Sequence, residues 1–448
     1  MPQLLADLTA RMLDAATRAG ADAADALAMS ARSVSIEVLK GRLEHAERAE
    51  GVDIGLRVLV GQRQACVASS DTSDETIAEM AARAVAMARE APEDSSVGLA
   101  EPEQFAAARD AAGLDLADPA AEPDAALLEQ DALAAEAAAL AVDGVAQVQG
   151  ASASYGLRSM YLAASNGFAG GYDRTGRSVS CVAISGEGSA MERDYNGESR
   201  IFQADLPDPS EIGRLAGERA VARFGAKKPP TGAYPVLFDE RVAASLIGHL
   251  LAAVNGSAIV RGASWLSDVL GQPVLPAGIS LTHDPLRRRI SGSKPFDAEG
   301  LASVPRDIVA DGVLQGWILD LATARRLGMQ STANATRGTA GPPSPSSGNV
   351  TLTPGSRSRA DLIADMGTGL VVTSLIGASI NPTTGDYSRG ASGFWVEGGE
   401  IVRPVNECTI AGNLRAMLKT IVAADDARAH LSTRVPSLLV EGLIIAGV

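Results

Sequence analysis

Apolar and polar positions alternate along this chain in two distinct rhythms. Leu4, Leu5, Leu8, Met12 and Ala15 recur at helical spacing and predict an amphipathic helix over 2–20. The blocks DALAMSA, SVSIEVLKGR, LEHAERAEGVDIGLRVLVG and RQACVASS then alternate with period two and are rich in Val and Ile, which predicts strands. Ser73-Asp74 opens a second helix reaching about Ala91, so this part reads as α-β-β-β-α. Residues 92–123 mix prolines, acids and alanines and read as a loop joining two parts of one compact domain. The pattern then returns. An alanine-rich helix over 125–141 precedes strands in 145–190, including VAQVQGASASYG, SMYLAASNG and SVSCVAISGEG, and a further helix over 210–224. Helix, strands, helix thus occurs twice before residue 225, as an internal repeat or as two halves, 1–91 and 125–225, of one layered domain.

The run AKKPPTG, 226–232, is charged, proline-paired and glycine-closed, and marks the expected boundary to a second domain over 232–448. That domain opens with a strand, AYPVLFD, and a helix over 239–255. Asp239 can cap the helix, Val242, Leu246, Leu250 and Val254 share a face, and Ile247 and Leu251 lie beside it. Asn255-Gly256 is read as the stop, because both residues tolerate a left-handed backbone. Beyond residue 271 come short β-runs between glycines, prolines and serines, with a hairpin turn at Asp311-Gly312. GTAGPPSPSSGNV, 338–350, reads as an exposed, mobile loop. The fold class expected is α+β, an N-terminal layered α/β domain with mixed sheets and a β-rich C-terminal domain.

Composition narrows the function. The chain has 448 residues, 46% of them hydrophobic but only 4% aromatic, so its cores rest on Ala, Val, Leu and Ile. A net charge of −15 argues against non-specific nucleic-acid binding, which needs a basic surface. Cys66, Cys181 and Cys408 are far apart, with no C-x-x-C spacing, and read as free thiols in a reducing compartment. The N-terminus lacks the basic start and apolar run of a signal peptide, and no apolar stretch has membrane-spanning length. A cytoplasmic location is expected, with no membrane partner.

The segment DERVAASLIGHLLAAVNGSAIVRGAS, Asp239 to Ser264, resembles the metal-binding helix region of the TldD/PmbA family of peptidases. In that family the metal-bearing subunit carries H-E-x-x-x-H here, followed by RG-[AST]-S, which matches Arg261 to Ser264. The ungapped match puts Ile247 at the first ligand histidine, Gly248 at the general-base glutamate and Ala252 at the second histidine. None can coordinate a cation, and zinc sites need several converging donors. NPTTGDYSRGASGFWVEGGEI (381–401), PVNECTIAGNL (404–414), PSLLVEGLIIAG (436–447), LATARRLGMQSTANATRG (321–338) and GVDIGLRVLVG are similar to the PmbA, or TldE, branch, so the resemblance spans essentially the whole chain. It implies a heterodimer in which a TldD-type subunit holds zinc and cleaves peptides, while this chain holds no cofactor and helps to bind an extended peptide. The family's metal subunit also uses a cysteine near its C-terminus. The comparable tail here, 422–442, has none, and Cys408 lies upstream in an expected strand.

Candidate substrate or partner contacts are His249, Arg261, Tyr387 and Arg389. His249 is two residues out of register with the ligand position and has no carboxylate on its face, so a structural or interface role is favoured over metal binding. Tyr387, Phe394 and Trp395 read as core or interface aromatics. The glycine-rich 385–399 run is either an edge for strand addition by a peptide or an ordinary hairpin. Ser291-Gly292-Ser293-Lys294 matches the S-x-x-K of some serine hydrolases, but the loop context and the lack of K-T-G argue against it. Arg287, Arg288 and Arg289 read as a locally paired loop in preference to a carboxylate site, and His430 as part of a solvated turn. The alternative function is a non-enzymatic peptide-binding or adaptor protein, homodimeric in isolation.

Overall fold

One motif, used twice, builds the first domain. In the computed structural model, which describes residues 2–447, α1 (Pro2–Ala19) is followed by β1 (Ala23–Leu39), β2 (Arg42–Val60), β3 (Arg63–Ser69) and α2 (Asp74–Glu90). After a connection over 91–124, the order recurs as α3 (Ala125–Leu140), β4 (Val145–Ala164), β5 (Ala169–Ser185), β6 (Glu192–Arg200) and α4 (Pro209–Ala222). The six strands form one sheet in the order β3-β2-β1-β4-β5-β6, antiparallel throughout. The two units therefore meet through their first strands, β1 against β4, paired from Asp25–Ala164 to Val38–Ala151.

The alternation within β1 explains the layering. Ala24, Ala26 and Ala28 pack with Leu5, Leu8 and Met12 of α1 and Met80 and Ala84 of α2. Val34, Ile36 and Val38, on the same face farther along, pack with Leu128, Ala132 and Ala135 of α3 and Ile212 and Ala216 of α4. All four helices thus cover one face. Side-chain caps start α2 and α3, where Ser73 accepts the Thr76 N–H and Asp124 accepts the Leu127 N–H. α3 and α4 cross so closely that a Cβ on Gly213 would lie 1.9 Å from the Ala135 carbonyl oxygen, which only glycine avoids.

The second domain contains β7 (Gly232–Phe238), α5 (Glu240–Ala253), α6 (Gly256–Val260), β8 (Leu281–His283), β9 (Arg306–Ala310) and β10 (Val313–Leu314). There follow α7 (Leu321–Leu327), β11 (Ala335–Thr336), β12 (Ser344–Pro345), β13 (Val350–Leu352), α8 (Arg359–Met366), β14 (Gly369–Ile380), β15 (Asp386–Glu397) and β16 (Glu400–Asn413). The last elements are α9 (Leu414–Lys419), β17 (Val422–Ala423), β18 (Thr433–Arg434) and β19 (Leu438–Ala446). β7, β14, β15, β16 and β19 close a barrel, since β19 pairs with both β7 and β16. One set of alternating barrel residues, including Val236, Phe238, Leu370, Val372 and Trp395, packs against α5. The other, with Leu237, Val371, Val396 and Leu439, packs against α8. The α+β class is as expected. The mixed sheets lie in this domain, where β7–β14 and β13–β18 are parallel.

The face of the first sheet away from its helices packs on the second domain. Leu27, Leu162 and Phe168 meet Phe296 there, and Phe168 stacks edge-to-face on Phe105 and Phe296. Asp25, buried on β1, accepts from Arg57 of β2 (Nε to Oδ2, 2.8 Å) and from Arg337 of the second domain. Burial pushes the Asp25 carboxyl up, yet the two guanidiniums outweigh that and hold it below its ordinary value. The 338–350 run is corrected from an exposed, mobile loop to a packed strap. It contains β12, its Asn349 and Val350 are fully buried, and Thr339 lies so close to β2 that a Cβ on Gly55 would be 2.2 Å from its carbonyl oxygen. The hairpin at Asp311-Gly312 is observed, both residues having positive φ, 47° and 79°.

Removing the Asp25 charge strands two buried guanidiniums. Asp25→Asn is expected to lower unfolding free energy by about 3–5 kcal/mol, measurable by urea denaturation. His283, on β8, is 1% exposed and burial, with Arg306 and Lys294 nearby, lowers its pKa to about 4. A histidine held neutral in the fold is protonated first in the unfolded chain. Stability should therefore be constant above about pH 6.5 and fall by roughly 3 kcal/mol as pH drops from 6.5 towards 4. In His283→Leu that part of the pH dependence should vanish from the same denaturation curves.

Candidate functional site

Helix α5 is anchored at its start to the first domain. Asp239 caps it, accepting the Arg241 N–H at 3.2 Å, and also pairs with Arg359 at 3.1 Å. Arg241 in turn reaches Asp194 of β6 at 2.9 Å. The far end corrects the sequence expectation. Asn255 is not left-handed (φ −71°, ψ 128°), and its side chain accepts the Ser257 N–H at 2.9 Å to begin α6. Gly256 is needed for space, since a Cβ there would lie 2.7 Å from Leu319 and Thr323. Ser264 then caps α5, donating to the Ala253 carbonyl at 2.6 Å.

The three positions matched to metal-binding residues have different fates. Ile247 is fully buried in the main core. Gly248 and Ala252 are exposed, and a Cβ on Gly248 would meet nothing within 4 Å. No group of three or more His, Cys, Asp or Glu side chains converges among the described residues. His249 is the nearest donor. Its ring lies edge-on to Tyr387 at 5.8 Å, its Nε2 is shielded without a hydrogen-bond partner, and burial followed by the Arg389 charge lowers its pKa. A neighbouring guanidinium repels a cation, so these residues do not fit a zinc ion.

The structure brings His249, Tyr387 and Arg389 together and leaves Arg261 apart. Tyr387 is 2% exposed, and burial raises its phenol to about 12. Trp395 is a core residue as well. Arg389 donates to the Gly377 carbonyl at 2.7 Å. Arg261 ends α6 with an exposed side chain. Cys408 donates to the Ala391 carbonyl and is buried, which raises its thiol to about 11. His430 is corrected from a solvated-turn residue: its Nε2 sits 3.2 Å from Glu198 of β6. Ser293 is fully buried, donating to the Arg287 carbonyl and accepting from Asn349, while the Lys294 ammonium donates to Ala335, so no Ser–Lys hydrogen bond forms. In the arginine run, Arg288 pairs with Asp115 and Arg289 with Asp205, and Arg287 donates to the Leu431 and Ser432 carbonyls.

Of the two readings of the 385–399 run, the structure shows the hairpin and not a strand-addition edge. β15 is paired on both sides, with β14 and β16, and has no free backbone edge. The open edge belongs to β14. Its parallel pairing with β7 covers only Leu370–Val372, because β7 turns into α5 at Asp239. From Thr373 onward β14 runs beside a cleft of about 580 Å³, lined also by Val242, Ser245, Tyr195 and Arg389. Ile376 on this edge is 73% exposed. The alternation of GLVVTSLIG identified a strand but carried no signal of where its neighbour stops.

Three segments match the domains of one family: residues 24–88 the PmbA/TldA metallopeptidase domain 1, 118–224 its central domain and 231–447 its C-terminal domain. The chain is 35% identical over 430 residues to "Metalloprotease PmbA" of Escherichia coli O157:H7, covering 95% of this chain and 92% of that protein. It is 36% identical over 446 residues to the "Metalloprotease PmbA homolog" of Haemophilus influenzae, covering 97% and 94%. Its fold superposes with a TM-score of 0.90, at 28% identity over 99% and 98% of the two chains, on a Bacteroides thetaiotaomicron protein proposed to modulate DNA gyrase. TldE of Thermococcus kodakarensis shares the fold (TM-score 0.85, 20% identity, 98% and 100% covered).

Because Ile247 fills the core, Ile247→His should cost roughly 3 kcal/mol, from lost apolar burial and a buried polar ring. Thermal denaturation and equilibrium dialysis with zinc should show the lower Tm and no gain of stoichiometric metal.

Proposed function

Because the chain belongs to the PmbA/TldD metallopeptidase family, we propose that it serves as the metal-free subunit of a two-component peptidase. Zinc and the hydrolytic chemistry reside in a TldD-type partner. This chain pairs with that partner and holds an extended peptide. The observation that carries the reading is a contrast on α5. Its exposed positions Gly248 and Ala252 bear no donor, while the same helix borders the unpaired edge of β14. Metal-assisted hydrolysis needs a polarised water, a base and an open coordination position, and on α5 His249 stands beside Arg389 with no second ligand to hold the ion. An unpaired strand edge supplies what a peptide of varied sequence needs, main-chain donors and acceptors in register.

Ile376, exposed among the polar and charged residues of the cleft, offers a protein neighbour one apolar contact within a polar surround. The reading also places the chain in the cytoplasm. Its three cysteines are unpaired, and among the described residues no helix is long and apolar enough to cross a membrane.

The test is reconstitution. Purified alone, the chain should leave an unfolded peptide substrate intact. Mixed with a TldD-type protein it should co-elute on gel filtration and give hydrolysis that a chelator abolishes. Chelator-sensitive hydrolysis by the chain alone would overturn the assignment. Failure of any TldD-type protein to bind or restore cleavage would favour a non-enzymatic adaptor. In the reconstituted pair, Ile376→Lys should leave the Tm of this subunit within about 1 °C and lower kcat/KM about tenfold or more, consistent with loss of one well-buried apolar contact.

A further inference from the structure

The sheet face turned away from the four helices carries an arrangement that the edge of β14 does not explain. Along β4 and β5 the cross-strand pairs on that face run Ser152–Ser180, Ser154–Ser178, Gly156–Gly176, Arg158–Arg174 and Met160–Tyr172. The serines satisfy one another, at 2.9 and 2.7 Å. The glycine pair opens a gap, and a Cβ on Gly176 would meet nothing within 4 Å.

The arginine pair is the anomaly. Directly opposed residues on antiparallel strands have Cβ atoms about 4.5–5.5 Å apart, and like charges there destabilise the sheet. Four nearby cations have acids: Arg200, Arg428 and His430 share Glu198, and Arg289 holds Asp205, while Lys294 donates to the Ala335 carbonyl. Among the described residues Arg158 and Arg174 form no ion pair with any of these acids. Arg174 donates one N–H to the Ser293 carbonyl at 2.5 Å and keeps a buried Nε without a partner. Arg158 is exposed.

Both arginines stand where two cavities meet. One, of about 550 Å³, has Gly156, Gly176 and Ser178 on its floor and Ser291 and Ser432 opposite. The other, of about 230 Å³, is bounded by Met160, Tyr172 and Phe296. The opposed arginines thus stand between a trough floored by the serine and glycine pairs and a smaller pocket beside Tyr172 and Phe296, each presenting its guanidinium to both spaces.

We propose that Arg158 and Arg174 bind a carboxylate of an extended peptide whose backbone crosses the Gly156–Gly176 gap. Guanidinium forks match a carboxylate in two-pronged geometry. The gap admits a main chain that any side chain would exclude, the serine hydroxyls face its amides, and the smaller pocket takes a neighbouring side chain against Tyr172 and Phe296. The inference rests on the peptide-handling reading above only in taking the ligand to be a peptide. The carboxylate comes from an acidic side chain or from the peptide C-terminus.

The test uses the full chain without a partner, so a failed reconstitution leaves it untouched. The probe is an N-terminally fluorescein-labelled octapeptide with Glu at alternate positions and a free C-terminus, followed by anisotropy. Two further probes carry Gln for Glu, or an amidated C-terminus. Arg158→Gln is expected to weaken the acidic peptide at least tenfold while Tm stays level or rises, because a repulsion has been removed. Gly176→Val, which the structure accommodates, should weaken it comparably by filling the trough. Loss of binding with the Gln probe assigns the side-chain carboxylate, and loss with the amidated probe assigns the terminus. The proposal is overturned if the acidic peptide does not bind, if both variants bind it as wild type does, or if neither modified probe loses affinity.

Discussion

Three buried charges hold the two domains in one arrangement. Asp25 on β1 is shared by Arg57, its neighbour on β2, and by Arg337, which arrives from the second domain. Inside a protein an ion pair offsets its own desolvation only when its geometry and remaining hydrogen bonds are good. Arg337 keeps a buried Nε without a partner, so the triad ties the halves together across the domain boundary more by orientation than by net stabilisation. The aromatic contacts of Phe168 with Phe105 and Phe296 supply apolar burial beside it. At the other end of the interface, Arg241 and Arg223 converge on Asp194 and fix where α5 begins. The cleft beside β14 includes Asp194, Arg223 and Arg241, and the pocket beside Phe296 includes Arg337.

The duplicated motif separates structural work from exposure. Four helices bury one side of the sheet, and the other side is left for the second domain and for the spaces between them. Small residues make the helical side possible, since an aromatic-poor chain builds close helix crossings from alanine and glycine. On the opposite side, long β4 and β5 place serine, glycine and arginine in consecutive cross-strand pairs. The barrel repeats this division, one set of alternating residues facing α5 and the other facing α8.

Local chemistry was readable from the chain wherever a residue acts on its neighbours. Helical spacing located α1 through α5, Ser73 and Asp239 cap as their side chains dictate, and Asp311-Gly312 turns as that dipeptide must. What failed depended on distant partners. α5 ends near Asn255-Gly256 as anticipated but for another reason, because Asn255 is extended and caps α6. The 338–350 run looked unstructured because its order comes from β2 and β8, far away in sequence. The 385–399 run could be read as an edge or as an ordinary hairpin, and only the pairing on both flanks decides for the hairpin, since alternation reveals a strand's faces and is silent about its flanks. Of the candidate site, the residue types at 247, 248 and 252 could be weighed at once, but their burial, and the open flank of β14, required the three-dimensional pairing.

The union of the two units through β1 and β4 has a consequence for biogenesis. During vectorial synthesis the first unit leaves the ribosome with one flank of β1 bare, a ladder of unsatisfied amides. That flank is covered only when β4, ending at Ala164, has emerged. In the interval the nascent chain carries a long, exposed strand, and the acidic, proline-bearing connector over 91–124 sets how soon the covering strand arrives.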